Sequence, residues 1–373
     1  VRILALNWRD PKNPEAGGAE VHLHAILQRA ASMGHQVTQV SHRVHGLPNR
    51  EVMDGVLILR HGGRNTFNFS VKGFALSLDI AENFDLVLED LCKIPFYSPA
   101  WSPVPVLTVV PHLFGTTAYR EVPFPLALYV NIMESFVPKV YADSPFVAIS
   151  DSTMADLVAR GIPAENITVI PCGIDTGFYG PGPPEPEPGA FLYLGRLKKY
   201  KGVQFAIRAV KLLRDSGKDA ELAVIGTGDY LEELEKLTEK LGLREAVTFH
   251  GYVSREKKLR MLRKAWAAVF PSEKEGWGLT VIEANACGSP VVASDSPGLR
   301  DSVRNGRTGF LVPHGDPEAL ARKMGLLMDH QALRHQLGEE GIEWAGSFDW
   351  DSTTARMLEA MEKTASGRFQ VPR

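Results

Sequence analysis

Residues 179–189, YGPGPPEPEPG, split the chain into two stretches that each read as α/β structure. Proline lacks an N–H and fixes φ, so this piece is kept out of helix interiors and central strands and reads as a linker. On both sides of it, short apolar strands alternate with helices. That alternation implies parallel sheets covered on both faces. The expected strands are 3–6, 37–40, 55–59, 86–88, 106–109 and 146–149, then 191–194, 222–225, 247–250, 267–270 and 290–293. Leu23, Ile26, Leu27 and Ala30 mark the inner face of a first helix, and Val203, Ala206, Ile207 and Val210 that of another. Asp316-Pro317-Glu318 carries a cap oxygen, a first-turn proline and an acid for a helix start. The expected division is an N-terminal parallel-sheet α/β domain over 1–178, the linker at 179–189, a C-terminal parallel-sheet α/β domain over 190–347, and a closing helix in 348–373.

The length of 373 residues suits two domains, and 44% hydrophobic content suffices for their cores. A formal charge of −3 gives no electrostatic case for nucleic acid. The cysteines, Cys92, Cys172 and Cys287, are unpaired in spacing and read as buried apolar residues of a reducing compartment. No apolar run reaches membrane-span length, so the expected location is cytoplasmic. His22 and His24 fall on different helix faces, and no residue set has metal-ligand spacing.

The chemistry concentrates at expected strand ends, where open α/β sheets bind ligands. Glu275 and Glu283 lie eight positions apart around Gly276, Trp277, Gly278 and Leu279. A glycosidase would place two carboxyls on either side of a sugar. Here one motif carries both, and eight helical residues span about 12 Å. Hydroxyl recognition therefore suits the pair better, since carboxylates accept hydrogen bonds from vicinal OH groups. Gly195, Arg196 and Lys201 form a basic loop ahead of a helix, suited to phosphate. Gly17 and Gly18 precede the first helix, where a backbone N–H can approach a phosphate. The dinucleotide fingerprint Gly-x-Gly-x-x-Gly is absent, which disfavours hydride transfer. His112 follows an expected strand.

Taken together, these residues resemble the retaining glycosyltransferases of family 4, with the GT-B fold, over nearly the whole chain. Glu275 to Glu283 looks like that family's Glu-x7-Glu motif, continued by EANACGSPVVAS. Gly17-Gly18-Ala19-Glu20, Gly195-Arg196 with Lys201-Gly202, and Ile170-Pro171-Cys172-Gly173-Ile174-Asp175 support it. The resemblance implies two Rossmann-like parallel-sheet domains facing each other across a cleft, with the last helix crossing back to the N-terminal domain. It implies a nucleotide-diphosphate sugar donor, UDP- or GDP-linked, and no required cofactor. Glu283 is then expected on the ribose, and Glu275 on the transferred sugar with N–H groups near Gly276, Trp277, Gly278 and Leu279. Arg196 and Lys201 are expected on the diphosphate with Gly195, Gly17 and Gly18, and His112 near the sugar. Catalysis is assigned to His112, Arg196, Lys201 and Glu275, through front-face substitution with retention. The chain departs from the family pattern at Cys172, where Asn is common, at Leu113, where an acid is frequent, and at Trp277, where Phe is usual.

The acceptor, a sugar, a lipid-linked or a small hydroxyl compound, is expected on the N-terminal side, with Glu20, Glu89 and His112 as candidates. Segment 122–140 combines Phe124, Leu126, Leu128, Tyr129, Ile132, Met133 and Phe136 with Lys139. It reads first as an ordinary buried helix, and second as an apolar acceptor lining or a peripheral contact at the inner face of a membrane. A GT-B epimerase or phosphorylase, or a silent sugar-nucleotide-binding module, remain the alternative functions.

Overall fold

The computed structural model describes residues 1–182 and 190–367. Residues 183–189 of the expected linker and the last residues of the expected closing segment lie outside the described residues. The chain divides into two compact units, Val1–Gly173 with Trp350–Arg373, and Ile174–Asp349.

The N-terminal unit is built on an eight-stranded sheet. Its strands are β1 (Arg2–Leu6), β2 (Gln36–Ser41), β3 (Arg50–Met53), β4 (Val56–Arg60), β5 (Leu86–Asp90), β6 (Val106–Val110), β7 (Phe146–Ala148) and β8 (Ile167–Val169). They run in the order β3-β4-β2-β1-β5-β6-β7-β8, parallel except for β3 against β4. The central strands β5 and β6 are buried at every position, as expected of a sheet covered on both faces. The helix Gly18–Ser32 buries Leu23, Ile26, Leu27 and Ala30 as its periodicity demands.

The last helix, Trp350–Ala365, belongs to this unit. It packs on Gly18–Ser32 and on β5 and β6. Arg29 Nε donates to Asp351 at 3.0 Å, and the His22 and Trp350 rings lie 6.0 Å apart. Thr353 Oγ1 donates to the Pro171 carbonyl and Arg356 to that of Val169.

The C-terminal unit has six parallel strands. They are β9 (Phe191–Leu194), β10 (Leu222–Ile225), β11 (Val247–Gly251), β12 (Ala268–Phe270), β13 (Val291–Ser294) and β14 (Gly309–Val312), in the order β11-β10-β9-β12-β13-β14. Val203, Ala206, Ile207 and Val210 of the helix Val203–Asp215 are fully buried against it. Asp316 caps the helix Pro317–Asp329 by accepting from the Ala319 N–H. Where the chain enters and leaves this unit, Ile174 and Asp349 form a parallel bridge, and the Ile174 N–H donates to the Phe348 carbonyl.

Three strands were not expected from sequence. β3 and β14 lie at sheet edges, and β8 closes the other edge of the first sheet. Edge strands need no continuous apolar run, so REVM and ITV carry little signal. The expectation that 122–140 is a buried helix is corrected. The helix Phe124–Ser135 buries Ala127 and Glu134, whereas Phe124, Ile132 and Phe136 are 67%, 47% and 47% exposed. Phe124, Leu128, Ile132 and Phe136 recur every fourth residue and form one outward stripe. Glu134 holds the inner side, accepting from the Phe114 and Gly115 N–H groups and pairing with Arg160.

Candidate active site

The basic loop follows β9 directly. A 3-10 turn at Lys199–Lys201 ends in Gly202, whose φ of +73° starts the helix Val203–Asp215. A Cβ on Gly202 would lie 2.0 Å from the Pro271 carbonyl oxygen, so only glycine lets this loop lie against the one after β12. The two loops are stitched together, with the Glu273 N–H donating to the Tyr200 carbonyl at 2.8 Å.

That close approach brings Lys201 to Glu275. Lys201 Nζ donates to both Glu275 oxygens at 2.6 Å. Burial opposes the Lys201 charge, but Glu275 beside it outweighs burial and raises its pKa above the ordinary lysine value. Glu275 is anchored from behind, its N–H donating to the Pro297 carbonyl at 3.0 Å. Gly298, at φ +78°, crosses over it, and a Cβ there would stand 2.3 Å from the Glu275 carbonyl oxygen. Arg196 is exposed at the head of the loop, its guanidinium 3.4 Å from the Tyr200 hydroxyl. Its carbonyl accepts from the buried Tyr193 hydroxyl at 3.0 Å.

Gly276 leads into Trp277, which is 5% exposed and packs edge-on against Phe348 at 5.1 Å between centroids. Its buried Nε1 has no hydrogen-bond partner. Gly278, at φ +91°, starts the helix Leu279–Ala286. Glu283 is the fifth residue of that helix, and Lys258 Nζ donates to its two oxygens at 3.0 and 2.9 Å. Lys258 also lies 4.9 Å from the Tyr179 ring. Burial opposes the Lys258 charge as well, and Glu283 overcomes it. The C-terminal unit thus brings Arg196, Lys201 and Glu275 to one pair of loops, with Glu283 on the helix that continues the second.

Lys258 was not singled out from the sequence. It sits on the densely charged helix Arg255–Lys264, REKKLRMLRK, where only Leu262 is buried. The available signal was its position four residues before Leu262, on the same helix face. A lysine there faces inward rather than to solvent.

In the N-terminal unit, the Gly17 N–H donates to Glu20 Oε2 at 2.7 Å, a capping arrangement at the start of Gly18–Ser32. Glu20 is therefore turned back on the glycine turn. Glu89 is fully buried and accepts from the N–H groups of Phe96 and Ser98 and from the hydroxyls of Ser98 and Tyr141. Burial pushes its pKa up. Both oxygens are occupied in holding the 96–98 turn. His112 follows β6, its ring edge-on to Phe114 at 5.3 Å. All three cysteines are buried thiols.

Two sequence models cover most of the chain. "Glycosyltransferase Family 4" matches residues 16–178, and "Glycosyl transferases group 1" matches residues 182–344. D-inositol 3-phosphate glycosyltransferase of Streptomyces scabiei (strain 87.22) is 37% identical over 177 residues, 45% of this chain and 40% of that protein. Glycogen synthase of Mycobacterium tuberculosis (strain ATCC 25618 / H37Rv) is 27% identical over 99% of this chain and 96% of that protein. Sucrose-phosphate synthase (tll1590) from Thermosynechococcus elongatus has the same fold, with a TM-score of 0.82 at 22% identity, over 98% of this chain and 100% of that one. Anabaena Alr3699/HepE in complex with UDP-glucose gives a TM-score of 0.75 at 18% identity, over 97% and 99% of the two chains.

Proposed function

The chain belongs to the group 1, family 4 glycosyltransferases, with two Rossmann-like parallel-sheet domains, and we propose that it moves a hexosyl group from a nucleotide-diphosphate sugar to a hydroxyl acceptor with retention. One observation carries this reading. Lys201 is clasped to Glu275 while Arg196 heads the same loop, so two cations and a sugar-reading carboxylate share one surface. Glu283 stands one helical turn beyond, where a carboxylate suits the two hydroxyls of a ribose.

In this reading the diphosphate lies on Arg196 and Lys201. Lys201 has three ammonium protons, and Glu275 takes two, which leaves one for a phosphate oxygen. Arg196 offers a planar fork to the same group. As the bond to the anomeric carbon breaks, both cations stabilise the charge growing on the leaving diphosphate. A leaving phosphate oxygen takes the acceptor proton on the same face, so no protein nucleophile is needed. By the family resemblance, Gly17 and Gly18 contribute to diphosphate binding, His112 to the transferred sugar, and Gly276, Trp277, Gly278 and Leu279 supply backbone to the donor. The UDP-glucose complex of HepE favours a uridine donor.

The acceptor is assigned to the N-terminal unit. Its outward stripe of Phe124, Leu128, Ile132 and Phe136, with exposed Lys139 just beyond it in sequence, suits peripheral contact with an anionic bilayer. No helix among the described residues is long and apolar enough to cross a membrane.

A thermal-shift series with UDP, GDP and ADP, each with and without its sugar, tests the donor reading. A nucleotide at 100 times its Kd raises stability by about 2.7 kcal/mol. Release of nucleotide diphosphate from the matching donor, lost in Arg196→Ala, completes the test. A chain that no nucleotide stabilises, and that releases none, refutes the reading.

A further inference from the structure

At the carboxyl ends of β1 and β5, the N-terminal unit places two cations, Arg9 and Lys93, side by side. Arg9 follows β1, is 9% exposed, and has a buried Nε with no hydrogen-bond partner. Its other nitrogens are held by Glu15, through the carbonyl at 2.7 Å and the carboxylate. Lys93 follows β5 and stands 5.5 Å above the Trp8 ring. It is half-buried and forms no ion pair with any described residue.

The nearby groups can be counted by name. Glu15 is shared between Arg9 and Arg64. Glu20 lies 4.0 Å from Arg9 and spends its other oxygen on the Gly17 N–H. Asp90, at the end of β5, accepts from Asn7 through one oxygen, while the other is buried without a partner. Burial, with Glu20 and Glu89 close by, pushes its pKa well up. The Cys92 thiol is pushed up by burial too. His42 donates from Nδ1 to the Arg43 carbonyl and accepts at Nε2 from Asn13, the arrangement of a neutral ring. The carboxylates that act on Lys93, Glu20 and Glu15, are thus both already engaged by Arg9, and Asp10 beside them is held by Arg60. Burial, reinforced by Arg9, lowers Lys93 to about 8.

A half-buried ammonium with no ion-pair contact of its own is unfavourable unless a ligand brings one. The edge formed by strand carboxyl ends is also where an open α/β sheet takes its ligand. We infer that Arg9 and Lys93 form an oxyanion-binding corner of the acceptor site, and that the acceptor carries a phosphate or carboxylate group. This rests on the glycosyltransferase reading only for the word acceptor. The anion site itself stands on the geometry of the N-terminal unit.

The test is isothermal titration of the full chain with glycerol 1-phosphate, glycerate and glycerol. The wild-type chain should bind one or both anions and not glycerol, and the tighter of the two tells phosphate from carboxylate. Lys93→Met should weaken that binding by at least about tenfold while UDP still binds, and Lys93→Arg should retain it. Arg196→Ala should keep it, because Arg196 belongs to the other site. On the wild-type chain alone, affinity should fall as pH rises through about 8, where Lys93 loses its proton. Absence of anion binding, full affinity in Lys93→Met, or loss in Arg196→Ala instead would each overturn the inference. Failure of UDP to bind while the anions still do would refute the donor reading and leave this site standing.

Discussion

Lys258 grips both oxygens of Glu283, at 3.0 and 2.9 Å, so the carboxylate proposed to read the ribose is oriented by a neighbouring helix before any hydroxyl reaches it. Removing the lysine leaves that carboxylate largely buried and unpaired. Lys258→Met should destabilise the chain by roughly 2 kcal/mol, below the range for fully buried pairs because some solvent reaches both groups. It should also raise the donor KM more than it lowers kcat. Adding Glu283→Gln to Lys258→Met should restore part of the stability but not the donor affinity. Urea unfolding and donor kinetics on the single and double variants check this; additive stability losses would show that the two residues do not act as a pair.

Arg196→Ala and Lys201→Ala should each lower kcat/KM by about 10²-fold or more through weaker stabilisation of the departing diphosphate. The two should differ in stability. Lys201→Ala strands Glu275, whereas Arg196 is exposed. Steady-state kinetics beside melting curves separates the effects, and near-normal turnover in both variants would remove these residues from the mechanism.

Gly298→Ala should impair turnover without touching any charged group. The added methyl would sit 2.3 Å from the Glu275 carbonyl oxygen, in a left-handed backbone that alanine resists. A loss of about 1 to 3 kcal/mol is expected, with lower activity. Full activity and an unchanged melting temperature would show that the Glu275 loop is not held by this approach.

Acid should loosen the N-terminal unit through His22. Burial holds this imidazole neutral in the fold down to about 4, while in the unfolded chain it takes a proton near 6.5. Between those values the unfolded state binds the extra proton, so stability falls as pH falls, by about 1.4 kcal/mol per unit from this group. His22→Phe should flatten that part of the curve. Urea midpoints from pH 7 down to 4 measure it, and parallel curves for wild type and variant would exclude His22 as the cause.

Ile132→Glu or Phe136→Glu should abolish flotation with vesicles containing an anionic lipid and leave melting unchanged, because both side chains face outward. Equal flotation of variant and wild type would eliminate this stripe as the contact.

The parts of the fold written as apolar runs were legible in the sequence. β9, β10 and the inner face of Val203–Asp215 follow from residues that are nearly all buried. Edge strands β3 and β8 were not, because half-exposed strands need no such run. The helix Phe124–Ser135 misled for a related reason: apolar periodicity reports a face, not the direction in which it points. Here Glu134 on the opposite side, fixed by two backbone N–H groups and Arg160, decides the direction. At the site, the spacing of Glu275 and Glu283 was visible, but their lysine partners were not equally so. Lys201 stood in a marked loop, whereas Lys258 was lost in a run of surface-like charge whose inward member only packing identifies.

The return of Trp350–Ala365 to the first unit has a consequence for how the chain emerges from the ribosome. The C-terminal unit is one continuous stretch and can close as soon as Asp349 is clear. The N-terminal sheet, although made first, must wait with the β5 and β6 side of its surface uncovered until the last helix arrives. Synthesis therefore finishes the second half before the first, and during that interval the exposed apolar face of the earlier half is the point at which a nascent chain would need protection.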